Sequence, residues 1–183
     1  MTTPARPLRR DAAENRARLL AAAAEVFDAQ GVGASLDDVA RRAGVGVGTL
    51  YRRFPHREAL LEALLVDLLD SWLAEASRAL ALPPAEGLAA FLRAVGELQA
   101  TPAGCALRIW SSPAVEPARA EVHERMAALL HAAQRAGACR DDVTVDDLLG
   151  VLVGARGVRE TVTTTVALDW RRHLELCLAG LRP

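Results

Sequence analysis

The stretch from Ser35 to Leu61 constrains the fold of this chain more than any other segment. It reads SLDDVARRAGVGVGTLYRRFPHREALL. Two short helical patterns flank a turn that contains Gly44, and arginines occupy positions that the apolar pattern leaves uncovered. This is the layout of a helix-turn-helix, in which the second helix enters the major groove of DNA. The segment therefore predicts double-stranded DNA as a partner.

The overall charge gives no hint of such a partner, because the net charge is −1. Its distribution is more informative. Residues 1–60 hold ten arginines against seven acidic residues, whereas residues 61–183 hold twelve arginines against sixteen acidic residues. A basic N-terminal part attracts phosphate and an acidic remainder repels it. A difference of this size is also within ordinary variation, so the motif carries the prediction.

The composition favours helices throughout. Hydrophobic residues make up 51% of the 183 positions and aromatic residues only 4%, so the core consists of Ala, Leu and Val. Ala and Leu are strong helix formers. Only the run from Thr161 to Val166 is strand-like, and one strand cannot form a sheet. The sequence predicts an all-α fold, with an N-terminal three-helix helix-turn-helix DNA-binding domain joined to a C-terminal helical bundle.

Helix start and stop signals divide the chain into three parts. Residues 1–10 form a flexible basic arm, residues 11–58 the helix-turn-helix domain, and residues 59–183 the helical bundle. Ser35 opens the second helix, with Asp38 completing a capping box. The boundary between the two domains lies within one long helix, without a flexible linker. The predicted helices begin at Asp11, Ser35, Val47 and His56, and then cover about residues 85–100, 105–110, 116–136, 145–158 and 169–181.

The remaining composition excludes several other classes of protein. Cys105, Cys139 and Cys177 are odd in number and lack the spacing of a metal site, so we expect reduced thiols, no metal and no cofactor. No uninterrupted apolar run is long enough to span a membrane, and the N-terminus lacks the apolar segment of a signal peptide. We therefore expect a cytoplasmic protein.

Residues 16–61 resemble the N-terminal domain of the TetR family of transcriptional regulators. The resemblance runs in order through the helix ending in Phe27 and Gly31, then Asp38-Val39-Ala40, Ala43-Gly44-Val45, Gly48-Thr49-Leu50-Tyr51, Phe54 and Arg57-Glu58-Ala59-Leu60. The ending, residues 178–183, is also similar to that of many members. The resemblance implies a TetR-like fold, a homodimer on a palindromic operator, and a C-terminal domain for dimerisation and for a small organic effector.

Eight residues are candidates for contact with DNA. The resemblance places Thr49 and Tyr51 at the DNA surface. It places Arg57 at the start of the long helix, where a cation and free backbone N–H groups converge on a phosphate. Ser35 is explained by a helix cap alone or by a cap that also donates to phosphate, and each arginine by a phosphate contact or a solvated charge. The set is Ser35, Arg41, Val47, Thr49, Tyr51, Arg52, Arg53 and Arg57.

The start of the recognition helix departs from the family pattern. Gly46 and Gly48 stand where members commonly place polar side chains that read bases. Val47 between them offers only apolar contact, for which the natural target is a thymine methyl group. We therefore expect base readout by Val47, Thr49, Tyr51 and Arg52, with backbone contacts and DNA shape supplying the rest of the specificity.

The C-terminal part carries two further sets of candidates. By resemblance the last two helices form the dimer interface, although the same apolar pattern suits packing within one chain. An effector pocket is implied as well, although each of its candidates is also explained as an ordinary core or surface residue. The interface set is Gly150, Val153, Gly154, Gly157, Leu174, Cys177, Leu178 and Leu181. The pocket set is Trp72, Phe91, Cys105, Trp110, Met126, His131, Arg156 and Thr161.

These observations predict a ligand-responsive repressor that binds its operator as a dimer. The alternative is a DNA-binding regulator or activator of the same fold that acts without a small molecule. An enzyme is a third hypothesis. It is disfavoured because the four histidines show neither metal-site nor triad spacing and no glycine-rich phosphate loop follows a strand.

Overall fold

A computed structural model describes residues 5–31, 33–98, 110–161 and 168–183, with side chains from residue 13 onward. Throughout these ranges the regular structure is helical and no strand is assigned, so the all-α prediction is confirmed. The helices there are α1 (Ala5–Gln30), α2 (Leu36–Ala43), α3 (Val47–Arg53), α4 (Arg57–Leu80), α5 (Pro84–Leu98), α6 (Glu116–Arg135), α7 (Val145–Glu160) and α8 (Trp170–Gly180).

The described residues form two compact units. The first contains the residues up to Asp67 together with 110–115, and the second contains the remainder. The division falls within α4, after Asp67 rather than after residue 58. Two polar contacts hold the start of α4 in the first unit. The Arg16 guanidinium lies 3.6 Å from the Asp67 carboxylate, and the Ser112 hydroxyl donates to the Glu62 carboxylate at 2.5 Å.

In the first unit, α1 packs against α2 and α2 against α3. The side chains of Phe27, Val39 and Leu50 are almost fully buried. Arg42 on α2 reaches Glu25 on α1 with both Nε and Nη2 at 2.5 Å. This ion pair, added to the apolar core, connects the first two helices of the motif.

Helix α1 begins earlier than its sequence indicated. The arm expected over residues 1–10 is helical from Ala5 onward, and residues 1–4 lie outside the described part of the chain. Pro7 falls in the first turn of α1, where its missing N–H has no intrahelical partner in any case.

The second unit is assembled around α5, which packs against α6, α7 and α8. Two glycines on α5 allow close packing, Gly87 against α4 and Gly96 against α8. A Cβ atom at Gly87 would lie 2.6 Å from the backbone oxygen of Ala79, and one at Gly96 would lie 2.9 Å from the Trp170 ring. Both distances are shorter than van der Waals contact permits, so a larger residue at either position requires the helices to separate.

A glutamine at the end of α6 makes hydrogen bonds to the loop between α6 and α7. Gln134 Nε2 donates to the backbone oxygens of Arg140 at 3.1 Å and Val143 at 3.0 Å, with Asp141 O at 3.4 Å. Gly137 has a φ of +66°, a left-handed conformation that glycine adopts without strain and that commonly ends a helix. The predicted end of α6 at this glycine is confirmed.

The start of α7 carries a capping box that the sequence analysis missed. The Thr144 hydroxyl accepts from the Asp147 backbone N–H, and the Asp147 carboxylate accepts from the Thr144 backbone N–H at 2.8 Å and from its hydroxyl at 2.7 Å. These hydrogen bonds hold the pKa of Asp147 below its usual value. The reciprocal pairing satisfies donors that the first turn of a helix leaves free.

Two sequence predictions fall mainly on residues outside the described ranges. The short helix over 105–110 is one, although Trp110 itself lies in a turn. The strand-like run is the other, although Thr161 is the C-cap of α7. No helix in the described part of the chain is both long and apolar enough to cross a bilayer.

Candidate nucleic-acid interface

The N-terminus of α2 is capped by Ser35, whose hydroxyl accepts from the Asp37 backbone N–H at 3.1 Å. The capping box expected with Asp38 is wrong. The Asp38 carboxylate instead forms an ion pair with Arg41 at 2.8 Å, one turn further along the helix. Arg41 remains largely exposed, so its guanidinium stays on the surface with a carboxylate beside it.

The turn between α2 and α3 depends on Gly44. Its φ is +66°, a conformation that costs a residue with a Cβ atom. The Val45 backbone N–H donates to Ala40 O at 3.0 Å and closes the turn. Leu50, fully buried, anchors α3 beneath it. The turn and this single anchor fix the direction of a seven-residue helix.

Helix α3 leaves large side chains outside the core. Val47 is 41% exposed and Tyr51 45% exposed, although both are residues that a core usually buries. Arg52 and Arg53 are exposed at the end of the same helix, and Thr49 is partly exposed. The N-cap Gly46 makes no side-chain hydrogen bond, as its lack of a side chain predicts. The exposed face therefore combines apolar, hydroxyl and guanidinium groups.

A groove runs between α1 and this face of α3. It has a volume of about 260 Å³ and is lined by Asn15, Arg16, Leu19, Thr49, Arg52 and Arg53. The α3 residues of this groove were predicted from the sequence, whereas Asn15 and Arg16 were not. The sequence carries one signal for them, because Arg16 lies one turn from the buried Leu19 and such spacing places two residues on adjacent parts of a helix surface.

The arginines of this unit differ in their surroundings. Arg41 and Arg42 each have a carboxylate partner, Asp38 and Glu25. Among the described residues, no carboxylate lies within ion-pair distance of Arg52 or Arg53. Arg52 and Arg53 thus place positive charge at the end of α3 that no carboxylate of the described residues neutralises.

The start of α4 differs from the predicted arrangement. The guanidinium of the half-buried Arg57 lies 5.8 Å from the centroid of the Phe27 ring. His56 Nδ1 accepts the Ala59 backbone N–H at 3.1 Å. That N–H is therefore engaged within the protein, and the histidine, which the sequence analysis overlooked, acts as the helix cap.

The pocket candidates do not form one group. Trp72, Phe91 and Met126 are buried. His131 lies exposed on α6 and is therefore excluded from an interior pocket. Arg156 pairs with Glu160 at 2.6 Å, and the exposed Thr161 donates its hydroxyl hydrogen to Gly157 O, so both have roles at the end of α7. Trp110 is half-buried in the first unit, and Cys105 lies outside the described residues.

Trp72 has an unusual polar environment. Its side chain is 5% exposed, and among the described residues its indole Nε1 finds no hydrogen-bond acceptor. Buried tryptophan N–H groups usually have a partner. Trp72 therefore contributes an unsatisfied donor to the second unit.

The interface candidates separate into two groups. Leu174 and Leu178 are 2% and 5% exposed, so they belong to the core of their own chain. Leu174 packs near Gly96 on α5, which is why an apolar stripe on α8 did not identify an interface. Val153 on α7 is 60% exposed. The glycines Gly150 and Gly157 also lie on the surface, whereas Gly154, Cys177 and Leu181 are half-buried.

The two cysteines within the described ranges, Cys139 and Cys177, are free thiols. Burial raises the pKa of the Cys139 thiol, which lowers its thiolate fraction and its reactivity. Cys177 Sγ lies 3.6 Å from Nε2 of His173 on the same helix.

Family models match both units of the chain. The model of bacterial regulatory proteins of the tetR family matches residues 19–64. The model of the C-terminal domain of SbtR-like transcriptional regulators matches residues 83–183. The first match contains the whole helix-turn-helix.

Individual relatives agree with these models. The HTH-type transcriptional regulator SrpR of Pseudomonas putida is 47% identical over 62 residues, which are 33% of this chain and 29% of SrpR. The TetR transcription regulatory protein of Mycobacterium vanbaalenii is 36% identical with a TM-score of 0.70, over 97% of this chain and 100% of that one. SCO0520 of Streptomyces coelicolor is 35% identical with a TM-score of 0.65, over 92% and 98% of the two chains. The chain belongs to the TetR family of DNA-binding transcriptional regulators and is not an enzyme.

Proposed function

We propose that this regulator is a ligand-responsive repressor that binds a palindromic operator as a homodimer. The observation that carries the DNA-binding part is the exposed face of α3, with Val47 and Tyr51 outside the core and with no carboxylate of the described residues paired to Arg52 or Arg53. A helix of this kind, packed on a capped preceding helix, has the geometry needed to enter a major groove.

The roles on DNA divide between phosphate contact and base reading. Arg53, Arg57 and Ser35 contact phosphates and set the register of the protein on the duplex. Val47, Thr49, Tyr51 and Arg52 face the base edges. Arg41 adds a phosphate contact of smaller energy, since its ion pair with Asp38 must rearrange. The groove residues Asn15 and Arg16 extend the polar surface of α3 toward α1.

The proposed dimer uses the outer face of α7 and α8. A single helix-turn-helix reads few base pairs, so such proteins pair two copies on a two-fold operator. Val153 is 60% exposed and Leu176 on α8 is 56% exposed, and no atom lies within 4 Å of the Cβ position of Gly150 or Gly157. An exposed apolar face with small residues permits close approach of a second copy of these helices.

The proposed effector is a small organic molecule bound in the second unit. The unsatisfied Trp72 N–H supports a ligand that carries a hydrogen-bond acceptor. The multidrug binding protein EbrR, 26% identical with a TM-score of 0.61 over 91% of this chain, has a structure complexed with ethidium. A ligand that binds the DNA-free conformation more tightly lowers operator affinity.

A footprint of the purified full chain, on the DNA that flanks its own gene and at stated salt, tests the DNA-binding part of this proposal. We expect a protected site with two-fold symmetry. Substituting Arg53→Gln should weaken binding to all sequences and reduce the slope of log K against log salt by about 0.9 if one phosphate contact is lost.

Arg135→Gln provides the matched control, because Arg135 is an exposed arginine at the end of α6 in the second unit. The control should leave the salt slope unchanged. Protection without two-fold symmetry, or equal effects of the two substitutions, contradicts the proposed arrangement.

A further inference from the structure

The second unit contains one cation whose surroundings do not satisfy it. Arg159, in the last turn of α7, has a buried Nη1 that finds no hydrogen-bond acceptor among the described residues. None of their carboxylates forms an ion pair with it either. The nearest acidic residue in sequence, Glu160, is engaged by Arg156 at 2.6 Å. Residues 99–109 and 162–167 contain no aspartate or glutamate.

Arg171, which lies beside the same aromatic ring, has the acidic partner that Arg159 does not find among the described residues. Both guanidinium groups lie over the buried Trp170 ring, that of Arg159 at 5.5 Å from the centroid and that of Arg171 at 4.5 Å. Arg171 is neutralised by two hydrogen bonds to Glu97, at 2.7 and 2.8 Å. One indole thus carries two cations, of which only one has a counter-charge.

Other attractions do not replace that counter-charge. A cation over an aromatic ring and a cation at the C-terminal end of a helix are both favourable. Neither supplies an anionic acceptor for a buried guanidinium N–H, and leaving a buried donor unsatisfied is costly. An arginine kept in this state is suited to a partner that arrives from outside the chain.

We propose that Arg159 anchors the carboxylate of an organic acid, with the Trp170 indole contacting the planar or apolar body of that acid. A guanidinium accommodates a carboxylate through two parallel hydrogen bonds. Among the described residues, the buried side-chain atoms without partners are Arg159 Nη1 and Trp72 Nε1, and both are donors. An organic acid supplies the anionic acceptor that Arg159 Nη1 does not find among the described residues. This inference rests on the proposed function, because it specifies the chemical class of the effector.

The test is thermal unfolding of the full chain in the presence of three carboxylates that differ in their apolar part: benzoate, 1-naphthoate and decanoate. Their neutral amides and inorganic phosphate, at matched ionic strength, serve as probes without an organic carboxylate. We expect at least one acid to raise Tm in a saturable way, and its amide and phosphate to have no such effect.

Two variants then locate the site. Arg159→Gln should weaken binding of the active acid by at least tenfold, with the rise in Tm measured against the variant's own unliganded Tm, because the substitution also removes the cation over the Trp170 ring. Arg171→Gln, which removes the other cation from the same ring, should retain the response. An equal response to the amide, no response to any of the three acids, or retention of the response in Arg159→Gln overturns the inference.

Operator binding separates this inference from the proposed function. An acid that stabilises the wild type through Arg159 but leaves operator affinity unchanged supports the anion site and contradicts ligand-responsive repression. If none of the three acids raises Tm but the protein still protects a symmetric operator, the anion site is contradicted and the DNA-binding proposal is still supported.

Discussion

Val47 illustrates how one residue can limit what a recognition helix reads. It is exposed and lies between Gly46 and Gly48, which have no side chains. A valine distinguishes bases only by apolar contact, and the thymine methyl is the apolar group in the major groove. The proposed readout at the start of α3 therefore depends on apolar contact between Val47 and a thymine methyl group.

Replacing Val47 with alanine should reduce the preference for thymine at one operator position in each half-site. Measuring the affinities of operator variants substituted at each position checks this expectation. Arg53→Gln is the control, since loss of a phosphate contact should weaken all variants equally. An unchanged ranking of variants in Val47→Ala would show that Val47 does not read a base.

Gly48 makes the folded protein less stable than an alanine at the same position would. No atom lies within 4 Å of a Cβ built at this position, and glycine within a helix is less stable than alanine by about 0.5–1 kcal/mol. Gly48→Ala should raise the free energy of unfolding by that amount, as measured by urea denaturation. If the α3 backbone approaches DNA at this point, operator affinity falls in the same variant.

Gly44→Ala provides the opposite case. The space around Gly44 is also open, but its φ of +66° is strained for a residue with a Cβ atom. This variant should be less stable than the wild type. Stabilisation by both substitutions would mean that open space alone decides the effect.

Single residues were predictable where their role depends on near neighbours in the chain. Ser35 as a helix cap and Gly44 as a turn residue followed from the sequence. The Asp38 prediction was wrong because Arg41, one turn along, competes for the same carboxylate. The role of His56 was missed because histidine is uncommon as a cap, and only the position of its ring against the Ala59 N–H reveals it.

At the level of elements, the capping box of α7 should make stability depend on pH. The hydrogen bonds from Thr144 lower the pKa of Asp147. A carboxyl whose pKa is lower in the folded state stabilises fully above its unfolded pKa, about 3.9. That stabilisation is lost as pH falls through the lower folded value.

Asp147→Asn should therefore lower Tm at neutral pH and flatten the dependence of Tm on pH in the acid range. Asp146→Asn is the control, because it removes the same charge from the same helix turn without breaking the box. Parallel Tm profiles for the two variants between about pH 2 and 6 would contradict a specific contribution of the box.

The contact between α4 and α5 should tolerate no side chain at Gly87. Its Cβ would lie 2.6 Å from a backbone oxygen, which cannot move aside as a side chain can. Gly87→Ala should destabilise the protein by about 1–3 kcal/mol, the usual cost of overpacking. Gly150→Ala on α7 has open space and should be neutral or stabilising in chemical denaturation of the monomer.

The bounds of each helix were more predictable from the sequence than the identity of the helices against which it packs. The bounds of α6 and α8 followed closely from glycine, proline and capping residues. The packing of α8 on α5 did not, because it depends on Gly96 fitting against Trp170 and Leu174, residues 74 and 78 positions further along the chain. A stripe of leucines shows that a helix face is apolar, but it does not show which helix covers that face.

For the whole molecule, the main prediction concerns dimerisation. Val153→Glu places two charges in the proposed symmetric interface. Because each buried valine contributes about 1.5–3 kcal/mol and is present twice, the dimer Kd should rise by at least about 100-fold. Analytical ultracentrifugation checks the association, and operator affinity should fall with it.

Leu82→Glu is the matched control for this prediction. Leu82 is 40% exposed, outside α7 and α8. It should leave both the dimer and operator binding intact. A Val153→Glu protein that remains dimeric would place the interface elsewhere.

The family and its DNA-binding role were predictable because they reside in one contiguous motif, Ser35 to Leu61. A pocket for the proposed effector was less predictable, because side chains that line an interior pocket come together from distant parts of a sequence. His131, one of the eight pocket candidates, lies exposed, and the orphaned N–H groups of Trp72 and Arg159 became visible only once burial was known. A sequence records which polar groups exist but not which of them lack partners.

Gln134 is a residue at which deamidation, a chemical modification, would change the structure of a loop. Its amide nitrogen is the donor that holds the loop between α6 and α7, and every acceptor it contacts there is a backbone carbonyl. Hydrolysis of the amide to glutamate would replace the donor with a negative charge facing those same oxygens. Deamidation at this one side chain would therefore remove the side-chain hydrogen bonds between the end of α6 and the loop that leads into α7, the helix that carries Val153 and Arg159.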